Sequence, residues 1–172
     1  MAKLQSLRRK AINFYLDLAL MLTMVLLQEA LISGFRLGPA RVDLVFILVF
    51  FWSITRGGNA GLAWAFGTGL LLDLISGGPV GPFTISLPVI AFMVALISEH
   101  VSYANPFSSF AVAALLFIFY DLFQLAVLRF LGINLLRIEN FSLITLPSAL
   151  LNAFVAVPMC LILARIYQGG KK

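Results

Sequence analysis

Long apolar runs and short polar breaks alternate along the chain, and this pattern predicts its elements. Six runs stand out, at residues 12–33, 42–55, 60–76, 83–98, 107–131 and 141–166. Each run is continuously apolar, which is typical of a helix that lies in lipid, where every backbone group needs a hydrogen-bond partner within its own segment. We therefore expect an all-α integral membrane protein, a compact bundle of about six transmembrane helices.

The second and third runs are shorter than the roughly 20 residues that a perpendicular membrane crossing needs. Only residues 56–59 separate them, so they form either a tight helical hairpin or one long helix through residues 42–76. The long helix would place Arg56 and two glycines at its centre, where a charge is costly and glycine weakens the helix. The pattern therefore favours the hairpin.

Composition strengthens the membrane interpretation. Of the 172 residues, 62% are hydrophobic and 11% are charged, whereas a soluble domain is about a quarter charged. No linker divides the chain, so residues 1–172 are expected to form a single polytopic domain. The basic start followed by an apolar run resembles a secretion signal, but the run continues to about Ile32 and no clear cleavage site follows, so we expect it to remain as the first helix.

The basic residues indicate orientation rather than nucleic-acid binding. The net charge is +5, yet the twelve Lys and Arg residues are spread over the chain ends and short loops. Basic residues concentrate on the cytoplasmic side of membrane proteins. Placing both termini in the cytoplasm leaves eight basic residues inside (Lys3, Arg8, Arg9, Lys10, Arg56, Arg165, Lys171, Lys172) and four outside (Arg36, Arg41, Arg129, Arg137).

Four carboxylates are expected in the outer third of the bundle, at Glu29, Asp43, Asp73 and Asp121. For Glu29, Asp43 and also Glu139, the ends of helices allow hydration or capping. Asp73 and Asp121 lie deeper, where an ionised group costs several kcal/mol unless it is paired, so we favour a buried, paired role for both over hydration at the interface, with the outer arginines as candidate partners.

Polar side chains accompany these carboxylates on the last two predicted helices. Gln124 shares a face with Asp121, and Ser148 and Asn152 lie four residues apart on the sixth helix. Two interpretations stay open: these groups line a cavity together with Asp73 and Asp121, or they form hydrogen bonds between helices.

The third predicted helix carries a stripe of small residues at intervals of four, formed by Gly61, Ala65, Gly69, Asp73 and Gly77. Small residues at this spacing let two helices approach closely, either within the bundle, which we favour, or between molecules. An uncharged loop follows the stripe and contains Pro79 and Gly81. This loop is either a cover over a pocket or a short connection.

The sequence offers no catalytic or metal-binding motif. Cys160 and His100 are the single cysteine and the single histidine, and neither a P-loop nor a Ser-His-Asp set can be placed at one depth. Tyr120-Asp121 matches half of an intramembrane aspartyl protease signature, but Asp73 follows three leucines instead of Gly-x-Gly. We expect no enzyme activity, no cofactor and no metal.

The segment from Val42 to Pro82 resembles the MreD family of bacterial rod shape-determining proteins. The matching features are Asp43 at the start of the second helix, Arg56 in the hairpin turn, and the pattern GLLLDL-SG-P-G at residues 69–81. The family more often has a proline where this chain has Val42. Chain length and the number of apolar runs agree along the whole sequence.

This resemblance implies a non-enzymatic protein of the bacterial inner membrane that takes part in cell-wall elongation. It implies binding to the single-span protein MreC, a link to RodA and its class B penicillin-binding partner, and an indirect link to MreB filaments. The family fold is similar to that of S-components of energy-coupling-factor vitamin transporters. No nucleic-acid partner is implied.

Two functional hypotheses follow. The first is a membrane scaffold whose apolar faces and small-residue stripe pack against partner helices. The second is an S-component that binds a small solute near Asp73 and Asp121. S-components commonly carry an Ala-x-x-x-Ala patch on the first helix, whereas Ala11, Ala19 and Ala30 are not four apart here, so we favour the scaffold.

Overall fold

The computed structural model describes residues 2–34, 40–98, 100, 105–133 and 141–169. These residues form six α-helices and no β-strand, which confirms the predicted all-helical architecture. The helices are α1 (Ala2–Gly34), α2 (Leu44–Arg56), α3 (Gly58–Ile75), α4 (Pro82–Ser98), α5 (Pro106–Phe130) and α6 (Phe141–Gly169).

Five of the six helix starts differ from the positions given by hydropathy, and α3, α4 and α5 begin only one or two residues earlier than expected. Helix α1 begins at Ala2 instead of residue 12, so its 33 residues extend for about 50 Å, well beyond the roughly 30 Å of a hydrocarbon layer. Hydropathy marks only the apolar part of such a helix. Helix α2 begins at Leu44 instead of residue 42, because Asp43 caps it from outside.

The chain turns sharply between α2 and α3, as a hairpin and not as one long helix. Gly57 alone separates the two helices, with φ of 68°, a backbone conformation that side chains disfavour. The hairpin is tight enough that a methyl group added to Gly61 would lie 3.1 Å from the Ser53 Cα atom. The backbones of α2 and α3 therefore approach closely.

Helix α2 is the centre of the bundle. Every residue from Val45 to Phe50 is buried, on all sides of the helix. Helices α1, α3, α4 and α6 pack around it, and the Phe46 ring meets Phe117 and Tyr120 of α5 at 5.0 and 5.4 Å. Helix α3 packs mainly against α4, and α5 packs mainly against α6.

Many large apolar side chains are exposed, and several polar side chains are buried beside the apolar core, an unusual combination for a soluble protein. Phe130 of α5 is 91% exposed and Phe154 of α6 is 74% exposed, whereas Asn152 and Thr68 are fully buried. In the described part of the chain, α5 is the one helix that is both long and apolar enough to cross a membrane. Three shorter apolar helices accompany it, at Leu44–Thr55, Pro82–Ser98 and Leu143–Pro158.

Candidate functional site

A short polar segment, residues 40–43, leads into α2 and is bound to α6; we call it the α2 strap. The Asn152 amide holds it at two points, because its Oδ1 accepts from the Asp43 N–H and its Nδ2 donates to the Arg41 carbonyl oxygen, both at 2.8 Å. Ser148 adds a third bond, in which its Oγ accepts from the Arg41 N–H at 2.9 Å. The two polar residues spaced four apart on α6 thus bind the strap backbone.

Two side chains, Asp43 of the strap and Gln28 of α1, accept hydrogen bonds from N–H groups in the first turn of α2. The Asp43 Oδ1 accepts from the Phe46 N–H at 2.8 Å, the usual geometry of a helix N-cap. The buried Gln28 of α1 reaches across and accepts from the Leu44 N–H at 2.7 Å. Amide groups at the start of a helix lack partners within it, so these contacts fix both the position and the direction of α2.

The α2 strap also contacts α5 through a charge pair. The Arg41 Nη2 lies 3.6 Å from the Asp121 Oδ1, and the Arg41 side chain is 44% exposed while Asp121 is buried. Thr145 of α6 donates a hydrogen bond to Asp121 Oδ2. Gln124 is also buried on α5, on the same face as Asp121.

Four arginines were candidates for pairing with the buried carboxylates. One of them, Arg41, pairs with Asp121. Arg129 is exposed in the last turn of α5. Arg36, Arg137 and Glu139 lie outside the described residues.

Replacing Asn152 by leucine is expected to lower stability by roughly 2 kcal/mol. It removes both strap bonds of Asn152 and its bond to the Ser148 carbonyl oxygen, and it leaves the strap groups at Arg41 and Asp43 without these partners. Ser148→Ala is the matched control on the same helix face and loses one strap bond, for about 1 kcal/mol. Unfolding midpoints in detergent would rank the variants, and an Asn152→Leu midpoint above that of Ser148→Ala would contradict the strap interpretation.

Asp73 forms a second polar site, separate from the α2 strap, at the start of α4. Its Oδ1 accepts from the Phe83 N–H at 3.0 Å, and its Oδ2 accepts from the N–H groups of Gly81 and Thr84 at 2.9 and 2.8 Å. The Thr84 hydroxyl donates to Oδ2 as well. Asp73 thus caps the N-terminus of α4 from the end of α3, where an anion is also favoured by the helix dipole.

These contacts revise the role predicted for Asp73. The sequence pattern offered the outer arginines as candidate partners, whereas its partners in the structure are backbone amides and one hydroxyl of the α3–α4 connection. It shares no hydrogen-bond partner with Asp121 in the described chain. The loop that was expected to be either a pocket cover or a connection is bound to Asp73 at Gly81, where φ is 131°, while Pro79 is exposed.

The small-residue stripe of α3 is used for packing inside the chain. Gly61 faces Ser53 of α2, Ala65 is fully buried, and a methyl group added to Gly69 would lie 2.5 Å from the Phe83 carbonyl oxygen of α4. The faces at Gly61 and Gly69 are therefore occupied and cannot hold a partner helix. Gly77 does not belong to the packed stripe, because it lies in the exposed turn after α3 with φ of 65°.

Three functional side chains were not singled out from the sequence. The Thr84 hydroxyl donates to Asp73 and the Thr145 hydroxyl donates to Asp121. A threonine within an apolar run gives no sequence signal for such a bond. Gln28 carries a usable signal, since an amide in the apolar part of a helix needs a hydrogen-bond partner.

The polar side chains of these sites act as helix caps and as hydrogen bonds between helices. The hydrogen bonds and the ion pair described for Asp43, Asp73 and Asp121 join them to backbone amides, hydroxyls or a guanidinium of this chain. Within the described ranges, no three or more His, Cys, Asp or Glu side chains come together as metal ligands. This geometry stabilises a bundle.

Comparison with known families gives a match over most of the chain. The model of the family described as rod shape-determining protein MreD matches residues 8–169 of the 172-residue chain. No curated protein and no solved structure matches the chain.

Proposed function

The chain belongs to the MreD family of rod shape-determining membrane proteins, and from this premise we propose that it is a non-enzymatic scaffold of the machinery that elongates the bacterial cell wall. In this proposal the chain binds an MreC-like single-span protein within the membrane. It thereby helps connect RodA and its class B penicillin-binding partner to MreB filaments. The link of the chain to MreB is indirect.

One observation carries the scaffold proposal, namely the distribution of polar and apolar groups. The buried polar side chains of the α2 strap and of the α4 cap are occupied by backbone groups of the chain itself. The exposed helix faces are apolar, as at Phe92, Leu115 and Phe154. Within a membrane, a chain of this kind offers a partner helix faces for close packing, not reactive groups.

The proposal includes a topology. All six helices lie in the bacterial inner membrane with both termini in the cytoplasm, as the distribution of basic residues favours. Helix α5 has the length and hydropathy for a full crossing. Helix α2, the shortest, is surrounded by α1, α3, α4 and α6, so its ends can be buried in protein instead of lipid. Impermeable thiol labels on cysteines added at each terminus should react only after the membrane is opened.

The S-component alternative is the weaker one. It needs Asp73 free to bind a solute, and both oxygens of Asp73 already accept hydrogen bonds from the α3–α4 connection and the start of α4. A solute would have to displace bonds that hold α4 in place.

Co-purification tests the scaffold proposal. The tagged full-length chain, extracted in mild detergent, is expected to retain the MreC-like protein of its own organism, and its depletion is expected to round rod-shaped cells. Normal cell shape without the chain, or a stable chain that never retains the partner, would count against the proposal.

Tryptophan substitutions can then locate the docking face. A large apolar side chain is tolerated by lipid but blocks close helix packing. Leu20→Trp, Phe92→Trp, Leu115→Trp and Leu150→Trp probe exposed positions on α1, α4, α5 and α6. We expect partner binding to be lost on one or two neighbouring helices only, with the other variants as matched controls.

A further inference from the structure

Helix α1 extends beyond its neighbour α3 at the N-terminal end. The Phe14 and Trp64 rings lie 5.7 Å apart. Two turns later, the Met21 Sδ lies 3.9 Å from the position of a carbon added to Gly67, so the two helices run in the same direction. Trp64 lies six residues after the start of α3, whereas Phe14 lies twelve after the start of α1, and the second pair gives nine and nineteen residues. At 1.5 Å per residue, α1 therefore projects about 9–15 Å farther than α3.

The face of α1 that packs inside the bundle continues along this projection. Met21 and Val25 are buried, whereas Leu18 is 39% exposed and Phe14 is 54% exposed. The bundle thus covers the later part of this face and leaves it increasingly uncovered towards Phe14. Apolar residues recur along it at alternating intervals of three and four, the a and d positions of a heptad repeat: Leu4, Leu7, Ala11, Phe14, Leu18, Met21 and Val25. Such a repeat is the pattern with which one helix packs along another.

We call residues Leu4, Leu7, Ala11 and Phe14 the α1 heptad face, and the positions that flank it are basic. Positions e and g hold Lys3, Arg8 and Lys10, and the first acidic residue of the chain is Asp17. Charges at e and g select the partner helix of a coiled coil. A second copy of this chain would lie parallel in the same membrane and would place Lys3 of one copy against Arg8 of the other, which is repulsive. The pattern therefore fits a helix with acidic flanks.

Anionic lipid would attract the same basic residues, but the course of α1 argues against lipid as the occupant. A basic amphipathic helix binds lipid by lying in the plane of the interface. Helix α1 contains neither proline nor glycine before Gly34, so its sequence provides no point for a kink. In the proposed topology its first residues therefore point away from the bilayer and not along it.

We propose that the α1 heptad face docks an amphipathic helix of a partner protein, with apolar residues at its a and d positions and Asp or Glu at its e and g positions. The docked helix continues the packing that α2 and α3 provide farther along α1, and its acidic residues pair with Lys3, Arg8 and Lys10. The cytoplasmic location of this contact rests on the proposed topology, whereas the contact itself does not.

The test uses the full chain in nanodiscs of phosphatidylcholine and two synthetic helices that carry leucine at a and d. One has glutamate at e and g, and the other has lysine there. Fluorescence anisotropy is expected to show saturable binding of the glutamate helix and no binding of the lysine helix. No MreC-like protein is present, so this result is independent of the scaffold proposal.

Two matched pairs of variants locate the contact. Arg8→Glu at position e is expected to weaken binding by about tenfold or more. Arg9→Glu makes the same charge change at position f, away from the docked helix, and should weaken it much less. Leu7→Ser at position d should cost at least about tenfold, whereas Ile12→Ser at position b should stay within about twofold of wild type. Unfolding midpoints verify that each variant is folded.

Photo-crosslinking in cells extends the test to the natural partner. A photoreactive residue at position 7 is expected to cross-link a protein segment with acidic residues at e and g, and the same residue at position 12 is not. Cross-links from position 7 to lipid alone would contradict the proposal.

Three further results would overturn it. Equal binding of the two synthetic helices, or equal effects within either pair of variants, would mean that the heptad pattern selects no partner. A chain that dimerises in detergent, and that Leu7→Ser makes monomeric, would assign the face to a second copy. Loss of glutamate-helix binding when phosphatidylglycerol replaces phosphatidylcholine would assign it to lipid headgroups.

Discussion

Replacing Asp73 by leucine is expected to destabilise the folded chain by roughly 3 kcal/mol or more, one of the largest effects of any single substitution in the described residues. Leucine accepts no hydrogen bond, so the N–H groups of Gly81, Phe83 and Thr84 lose their acceptor. The first amides of α4 have no partner within that helix. The α3–α4 connection should therefore separate from the end of α3.

Two milder variants give a graded series. Asp73→Asn keeps the shape but replaces one acceptor oxygen by a donor, so a loss of about 1–3 kcal/mol is expected. Thr84→Val removes the hydroxyl and keeps the backbone bond, for about 1 kcal/mol. Unfolding in detergent followed by helical circular dichroism should rank the variants in this order. If Asp73→Leu unfolds at the wild-type midpoint, the cap makes no net contribution.

Loss of partner binding in the Asp73→Leu variant would be a consequence of unfolding, not of a lost contact. The Asp73 side chain is buried and faces the start of α4, so it cannot touch a partner directly. Partner binding should therefore follow the folded fraction across the series. A folded variant that no longer binds would instead place the α3–α4 loop in the interface.

The number and kind of helices follow from the sequence because hydropathy records which segments can be surrounded by lipid or by the core. Their ends do not follow in the same way. The start of α1 lies ten residues before its apolar run, at Ala2 instead of 12, and hydropathy cannot see a helix that continues outside the hydrocarbon. The start of α2 depends on two acceptors outside the helix, Asp43 and Gln28, and the pattern places Asp43 inside the helix.

The polar site was predictable in its residues but not in its bonds. Asp73, Asp121 and Asn152 stand out because polar groups in apolar helices must be satisfied. Their partners are mostly backbone groups, for example the Arg41 carbonyl oxygen and the Phe83 N–H. Every residue has such groups, so sequence carries no signal for which of them is used; that depends on how the helices are arranged in space.

The two sites share one physical purpose, because each satisfies the start of a helix that would otherwise lie unpartnered in a buried region. The acceptors for α2 come from Asp43 and Gln28, and those for α4 come from Asp73. A soluble protein can leave the first amides of a helix to water. In the proposed membrane topology this option is restricted, which fits the presence of acidic and amide side chains in the interior of so apolar a chain.

Gly69→Ala is expected to cost about 2–4 kcal/mol, since the added carbon would lie 2.5 Å from the Phe83 carbonyl oxygen and 2.9 Å from the Thr84 Cα atom. Both neighbours are backbone atoms and cannot rotate away. Helices α3 and α4 would have to separate at the level where Asp73 caps α4, so the substitution should also weaken that cap. Overpacking and loss of hydrogen bonds then act together.

Gly67→Ala supplies the matched control, because the same change is made two positions earlier in α3 at a site where the nearest atom is Met21 Sδ at 3.9 Å. Alanine is the better helix former, so its stability should stay within about 1 kcal/mol of wild type, or rise. Unfolding midpoints of the pair separate the effect of close packing from that of helix propensity. Equal midpoints would mean that α3 and α4 do not depend on contact at Gly69, and the internal role of the small-residue stripe would then be wrong.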